Sequence, residues 1–501
     1  MADAWQLAGA VNLRPEAFGG MAFHCERGIT LELDAEAYRF LCSYLEPHPL
    51  PPPDHPAARL VPQLVRLDFL CPNAPSPRPG GVPCENAPSP RPGGVPCESA
   101  PGPRPGGVPC ESAPSPRPGG VPCESAPSPR PGGVPCESAP GLRPGGVPCE
   151  SALSPHPGGA PCEQTLSAPE TVHLAITARC NLSCPGCYVP RPHAGPELTV
   201  PELRGLIDQW AHMRVFQLAV GGGEPLLYEG LFDVLAYARQ QGLVPNLTTN
   251  GTLLDTDVVR QLERAGVARV NLSWSGPDDA HQGHSQAVTR ALQTLLASTL
   301  HVGVNLLVTP ALLPRLPRVL ARLPALGVRR ATVLRPKPPA IPSAAGIAWY
   351  DANRLRRADL LRLQAILNGW QGTLELEVDS ALVGLMGDVN PARLRWRAVY
   401  GCAAGRRTCT VWPDGRLTPC SFLADLSAGN VRQVPFAALW ARGENWNVLR
   451  DPASRPQGGC TGCAIALQCG GARCVARYEC GDLSAGDAEC PHCWEETPCA
   501  S

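Results

Sequence analysis

Three cysteines, Cys180, Cys184 and Cys187, fall within the stretch CNLSCPGCY at gaps of three and two residues. A structural zinc site closes its tetrahedron with four ligands, usually from two C-x-x-C pairs. Three thiolates would instead leave a four-iron cluster with one iron open to a small molecule. A second group follows, Gly221-Gly222-Gly223-Glu224-Pro225, whose glycines let backbone approach a bound group closely. A third gathers near the end of the chain: Cys402, Cys409, Cys420, Cys460, Cys463, Cys469, Cys474, Cys480, Cys490, Cys493 and Cys499. Cys460-x2-Cys463 and Cys490-x2-Cys493 also have the spacing of zinc pairs, so spacing alone leaves zinc and iron–sulfur both open there.

The elements that must position these residues form a regular series. TVHLAIT is a strand leading into the triplet, and FQLAV leads into the glycine run. VPNLTTNG, ARVNLSWSG, HVGVNLLVTP and VRRATVLRP continue it, with helical stretches between, which implies parallel βα units. In a doubly wound sheet or a barrel alike, chemistry sits at the C-terminal ends of the strands, where both motifs lie. The terminal cysteine-rich stretch offers little predictable regular structure, as suits a region folded around metal.

Upstream, MAFHCERGITLEL predicts a β-hairpin turning at Glu26-Arg27-Gly28, followed by a helix capped by Asp34, with regular structure ending at Pro47–Pro56. Cysteines at 71, 84, 97, 110, 123, 136, 149 and 162 then mark a repeat of period 13 in units like PCESAPSPRPGGV. Units this rich in Pro, Gly and Ser bury too little apolar surface to offset their ordering entropy, so the repeat reads as a disordered spacer. It would serve as a flexible tether of about 90 residues.

Composition excludes several classes. The net charge of −1 gives no sign of nucleic acid or an anionic membrane as partner. A single lysine, Lys337, rules out a Walker-type phosphate loop and carries no functional weight in this reading. The start, MADAWQLAGAVNLRPEAF, lacks a signal-peptide pattern, and the apolar stretch from Val302 to Val328 is broken by prolines and arginines. The expected location is a reducing cytoplasm, where 24 cysteines serve as metal ligands rather than disulfides. His212, His281, His284, His301, Arg329 and Arg330 take packing or surface roles.

Cys180-x3-Cys184-x2-Cys187 after the first strand, with Gly222-Gly223-Glu224-Pro225 after the second, resembles the radical S-adenosylmethionine superfamily. The resemblance implies a partial (β/α)6 TIM-like barrel. It also implies a [4Fe–4S] cluster on the three thiolates, with S-adenosylmethionine on the open iron. Cleavage of that cofactor would yield a 5′-deoxyadenosyl radical that abstracts a substrate hydrogen. Gly222, Gly223, Glu224, Tyr188, Thr249, Asn250 and Ser273 are the cofactor contacts it suggests. Relatives often carry an aromatic residue just before the third cysteine, against the adenine; here that position is Gly186, with Tyr188 beyond. Relatives also show Ser-Leu-Asp-Gly after the fourth strand, where this chain has Ser273-Trp274-Ser275-Gly276.

The terminal cysteines resemble the SPASM extension of peptide-modifying radical enzymes, which implies two auxiliary [4Fe–4S] clusters. One would take Cys402, Cys409, Cys420 and Cys474, the other Cys460, Cys463, Cys469 and Cys490 or Cys493. NLRPEAFGGMAFHCERGITLELDAEAYRFL resembles the small PqqD-like domains that bind a precursor's leader peptide as an added strand. The domains expected are a leader-binding domain at 1–50, a linker at 51–70, the repeat at 71–163, the radical core at 164–340, a connecting segment at 341–399 and SPASM at 400–501. Together they imply a maturase of a ribosomally made precursor peptide, supplied by an external electron donor. Other readings are a formylglycine-type protein maturase and a non-catalytic iron–sulfur electron carrier.

Overall fold

The computed structural model describes residues 4–72, 166–189, 195–274, 285–386, 401–451 and 460–492, apart from 462 and 464. Its first part holds two small antiparallel sheets. β1 (Ala4–Leu7) is the middle strand of one. β2 (Val11–Glu16), β3 (Gly19–His24) and β4 (Ile29–Asp34) form the other as a meander. The hairpin between β3 and β4 turns at the residues expected. α1 (Ala35–Cys42) starts where the Asp34 carboxylate accepts the Ala37 N–H, satisfying one orphan donor of its first turn.

The expected linker is part of this domain. β5 (His48–Pro49) pairs with β1, α2 (Val61–Arg66) follows, and β6 (Leu70–Pro72) pairs with β1 on its other side. Leu64, Leu67, Phe69 and Leu70 bury themselves among Leu31, Leu33, Leu41 and Tyr44, so residues 51–72 complete a core rather than bridge two. Cys71, expected to open the spacer, is a strand residue of β6. The other repeat cysteines lie outside the described residues.

The series of βα units then follows as the sequence indicates. β7 (Thr171–Thr177), β8 (Gln217–Gly222), β9 (Val244–Thr249), β10 (Arg269–Ser273), β11 (His301–Leu307) and β12 (Arg330–Leu334) pair in parallel, each with the next. Between them run α3 (Val200–His212), α4 (Leu231–Gln240), α5 (Thr256–Arg264), α6 (Ser285–Leu296) and α7 (Leu316–Ala325). α3 shows the local logic. Thr199 and Glu202 close a capping box, and Leu203, Leu206, Ile207 and Trp210 recur at helical spacing to form one buried face.

The expected connecting segment is structured too. α8 (Ala344–Asn353) and α9 (Arg357–Asn368) lead to β13 (Glu375–Val378), a further parallel strand beside β12. At the opposite edge β14 (Thr408–Val411) pairs in parallel with β7, and β15 (Arg416–Thr418) and β16 (Gly429–Asn430) continue antiparallel. The result is one ten-stranded sheet, an α/β partial barrel extended at both edges.

The N-terminal sheet is not held at a distance. Phe23 stacks on Phe216 at 5.2 Å, and Met21, Phe23 and Cys25 share a core with Leu166, Phe216 and Val244 at the N-terminal end of the barrel strands. Arg14 donates to the Pro169 and Arg214 carbonyls, both at 3.1 Å. Arg407, just before β14, ion-pairs with Glu32 of β4 and with Glu170 before β7. Packed side chains join this domain to the barrel.

Candidate active site

The triplet occupies the loop after β7. Cys180 and Cys187 are half-buried and Cys184 is exposed. The Leu182 N–H points at the Cys180 sulfur (3.4 Å), and the Asn250 amide lies 3.9 Å from it.

The glycine run holds this loop by backbone. The Gly223 N–H donates to the Thr177 carbonyl (2.8 Å) and the Glu224 N–H to that of Arg179 (2.8 Å). A Cβ at Gly223 would lie 2.1 Å from the Arg179 oxygen, so no other residue fits there. Gly222 ends β8 paired with Thr177.

Glu224 plays a part the motif did not disclose. It is fully buried, and its carboxylate accepts from the Thr249 hydroxyl (2.8 Å), the Asn250 N–H (2.9 Å) and the Leu226 N–H (3.2 Å). Burial pushes this carboxyl above its usual range, while those three donors pull it back. Glu224 and Thr249, expected to touch the cofactor, are thus occupied in fixing the end of β9. Asn250 does reach the triplet, and Ser273 lines the cavity described next.

That cavity, of about 790 Å³, lies over the C-terminal ends of the strands. Cys184, Gly186 and Tyr188 border it, as do the sulfur-bearing residues Cys402, Cys420 and Cys474. Tyr188 packs against Phe422 with ring centroids 5.2 Å apart, and its hydroxyl is pushed up to about 12, first by burial and then by Cys187 and Cys420. The Trp274 indole N–H is buried beside the cavity without a hydrogen-bond partner, a donor left for a bound group.

Three further residues of this cavity escaped the sequence reading. Lys337, beyond β12, forms an ion pair with Asp379 (3.0 Å) and lies 4.8 Å over the Phe422 ring. His173 of β7 is exposed to the cavity, where the surrounding protein and then the Lys337 ammonium lower its pKa. Trp349 of α8 lines the same space. The lone lysine of an arginine-rich chain was a signal for the first. For the others no local signal tells which face of the strand or helix looks into the cavity.

The terminal thiols divide into two groups. Cys460, Cys463, Cys469 and Cys490 line one small cavity beside Gly384 and His492. Burial pushes the Cys469 thiol up to about 12, and that of Cys420 up to about 11. Such thiols give up protons only against a compensating cation, which iron supplies. The donor set fits iron–sulfur clusters on all three thiol groups.

Cys409 departs from its expected role. It sits on β14, fully buried with Val411 in the apolar layer beneath the sheet, while Thr408 and Thr410 face the cavity with Cys402, Cys420 and Cys474. Alternation along a strand turns it away from the proposed ligand group. Cys493 and Cys499 lie outside the described residues.

Comparison with known proteins agrees with this geometry. Residues 174–329 match the radical SAM superfamily, and residues 402–464 match an iron–sulfur cluster-binding domain, SPASM. The chain is similar to an AdoMet-dependent heme synthase of Methanosarcina barkeri, 27% identical over 65% of this chain and 97% of that protein. It is also similar to a PqqA peptide cyclase of Gluconobacter oxydans, 27% identical over 65% of this chain and 91% of that protein. The fold resembles Streptococcus suis SuiB bound to its precursor peptide SuiA, with a TM-score of 0.59 at 13% identity over 99% of both chains.

Proposed function

The chain is a radical SAM protein with a SPASM domain, and from that premise we propose that it modifies a ribosomally made precursor peptide. When bound, S-adenosylmethionine on a [4Fe–4S] cluster supplies a 5′-deoxyadenosyl radical for hydrogen abstraction. Cys180, Cys184 and Cys187 would hold that cluster, and Cys402, Cys420 and Cys474 and the Cys460 group would hold the auxiliary ones. The carrying observation is the shared cavity: the triplet loop and the Cys402 group border one space of about 790 Å³. That is ample for a nucleoside and a substrate side chain together. Lys337 and Asp379 place a fixed charge pair on its wall, and the apolar faces of Trp349 and Phe422 limit water.

The N-terminal domain supports a peptide as substrate. Among the described residues β4 pairs on one side only, with β3, and α1 packs beside it. An extended leader can add to such an edge through backbone hydrogen bonds, with alternate side chains set against the helix. The whole-length likeness to the fold of SuiB, which was solved with a precursor peptide, favours this reading. The relative named for peptide cyclisation favours it over a purely electron-carrying role. An external reductant would prime the cluster, in a reducing cytoplasm, although Cys480 is disulfide-bonded in this structure, against the expectation of no disulfides. Among the described residues no helix is long and apolar enough to cross a membrane.

The deciding experiment incubates anaerobically reconstituted protein with reductant, S-adenosylmethionine and a short precursor encoded beside its gene. Release of 5′-deoxyadenosine with a mass change in the peptide is expected. Iron-loaded protein that never cleaves the cofactor would leave the electron-carrier reading in its place.

A further inference from the structure

The loop between Cys184 and Cys187 carries no aromatic side chain of its own, yet an aromatic ring lies against it. A Cβ built on Gly186 would meet three atoms of the Trp349 six-membered ring at 2.4–2.5 Å. The indole of α8 therefore fills the space a side chain at position 186 would take. Trp349 is half-buried, and it borders the same cavity as Cys184, Pro185 and Gly186.

Its support is firm. Tyr350 meets Tyr478 edge to face at 5.2 Å, and Arg354 ion-pairs with Glu479, so α8 is fastened to the helix Arg473–Cys480. The Asn353 amide also donates to the Trp349 carbonyl (2.8 Å). The other aromatic next to the triplet, Tyr188, is half-buried and packs its ring on Phe422 and against Ala175, Val189 and Trp412.

We propose that Trp349 is the surface on which the adenine of S-adenosylmethionine stacks. The open iron fixes where the amino-acid end of the cofactor must lie, beside the triplet, and the adenosyl end must then extend into the cavity the indole borders. A purine is a flat π-system, and tryptophan offers the largest apolar face against which to pack it. Gly186 makes room for that ring to reach the loop. The proposal rests on the cofactor assignment above and names the residue that reads its base.

The test measures equilibrium binding of S-adenosylmethionine and of free methionine to iron-loaded, full-length protein by calorimetry. Methionine shares the iron-binding end and lacks the base. Trp349→Leu, which keeps apolar bulk, should weaken S-adenosylmethionine about tenfold or more, the scale of base–aromatic stacking, with methionine affinity and iron content unchanged. Trp349→Phe should restore most of the loss. Unchanged S-adenosylmethionine affinity in the leucine variant would overturn the proposal. So would an equal loss for both ligands, which marks damage to the loop. Wild-type protein that holds iron and binds neither ligand would instead overturn the cofactor assignment itself.

Discussion

The buried carboxylate of Glu224 accepts the Thr249 hydroxyl at 2.8 Å, joining the loop after β8 to the end of β9. Glu224→Ala would leave that hydroxyl and the Asn250 N–H without an acceptor. Unfolding free energy should drop by about 1–3 kcal/mol in chemical denaturation, and cofactor affinity should weaken because Asn250 loses its anchor. Thr249→Val should cost less, and the double variant should cost less than the two single costs combined, because the pair shares one bond.

Cys409 offers a sharp distinction between spacing and orientation. With three four-iron clusters the loaded protein carries about twelve irons. Cys409→Ala should keep them all, whereas Cys420→Ala should lose up to about a third. Colorimetric iron assay after reconstitution reads the difference. Iron loss from the Cys409 variant would return it to the ligand set.

Arg432 grips Glu202 at 2.6 Å and also donates to the carbonyls of Pro196, Glu197 and Asp414. That grip, with the Thr199 donors, lowers the Glu202 carboxyl to about 2. A depressed carboxylate stabilises the fold above its unfolded pKa and ceases to do so as pH falls through the folded one. The contribution should fade between about pH 4.5 and 2. The pair is partly exposed, so about 1 kcal/mol at low salt, and less at high salt, is the expected size. Glu202→Gln should flatten the acid limb of a stability–pH curve. Arg432→Lys should flatten it nearly as far, since an ammonium cannot reproduce the fork.

Arg407 is a three-way joint between the N-terminal domain, the barrel and the start of β14. Arg407→Ala would take an ion-pair partner from Glu32 and from Glu170, the latter already pushed upward by burial. A cost of about 3–5 kcal/mol is expected, with faster amide exchange in β4. Unaltered exchange there would show that the core around Phe23 and Phe216 and the Arg14 hydrogen bonds hold the domain without Arg407.

Much of this was legible in the chain because period and punctuation are local signals. The β3–β4 hairpin, the Asp34 cap and six parallel strands each announce themselves within a dozen residues. β13 was equally readable: Leu374, Leu376 and Val378 alternate with Glu375 and Glu377, though without a helix-length spacing to mark them as part of the series. Cys409 could have been read by parity, since it shares a face with Val411. Trp349 and His173 could not. Which face of a strand or helix looks into a cavity depends on the order of neighbours, and that order is set by contacts far apart in sequence.

Pro72 and Leu166 belong to one folded unit, with β6 pairing at one end of the intervening stretch and Leu166 packed against Phe23 and Phe216 at the other. The two ends of the intervening sequence are therefore fixed in the same body. For a flexible loop closed between fixed ends, the entropy of closure grows only with the logarithm of its length. One more or one fewer copy of the 13-residue unit changes the cost by about 0.1 kcal/mol. Proteins made with more or fewer copies of the unit should therefore unfold at nearly the same denaturant midpoint and keep the same cavity.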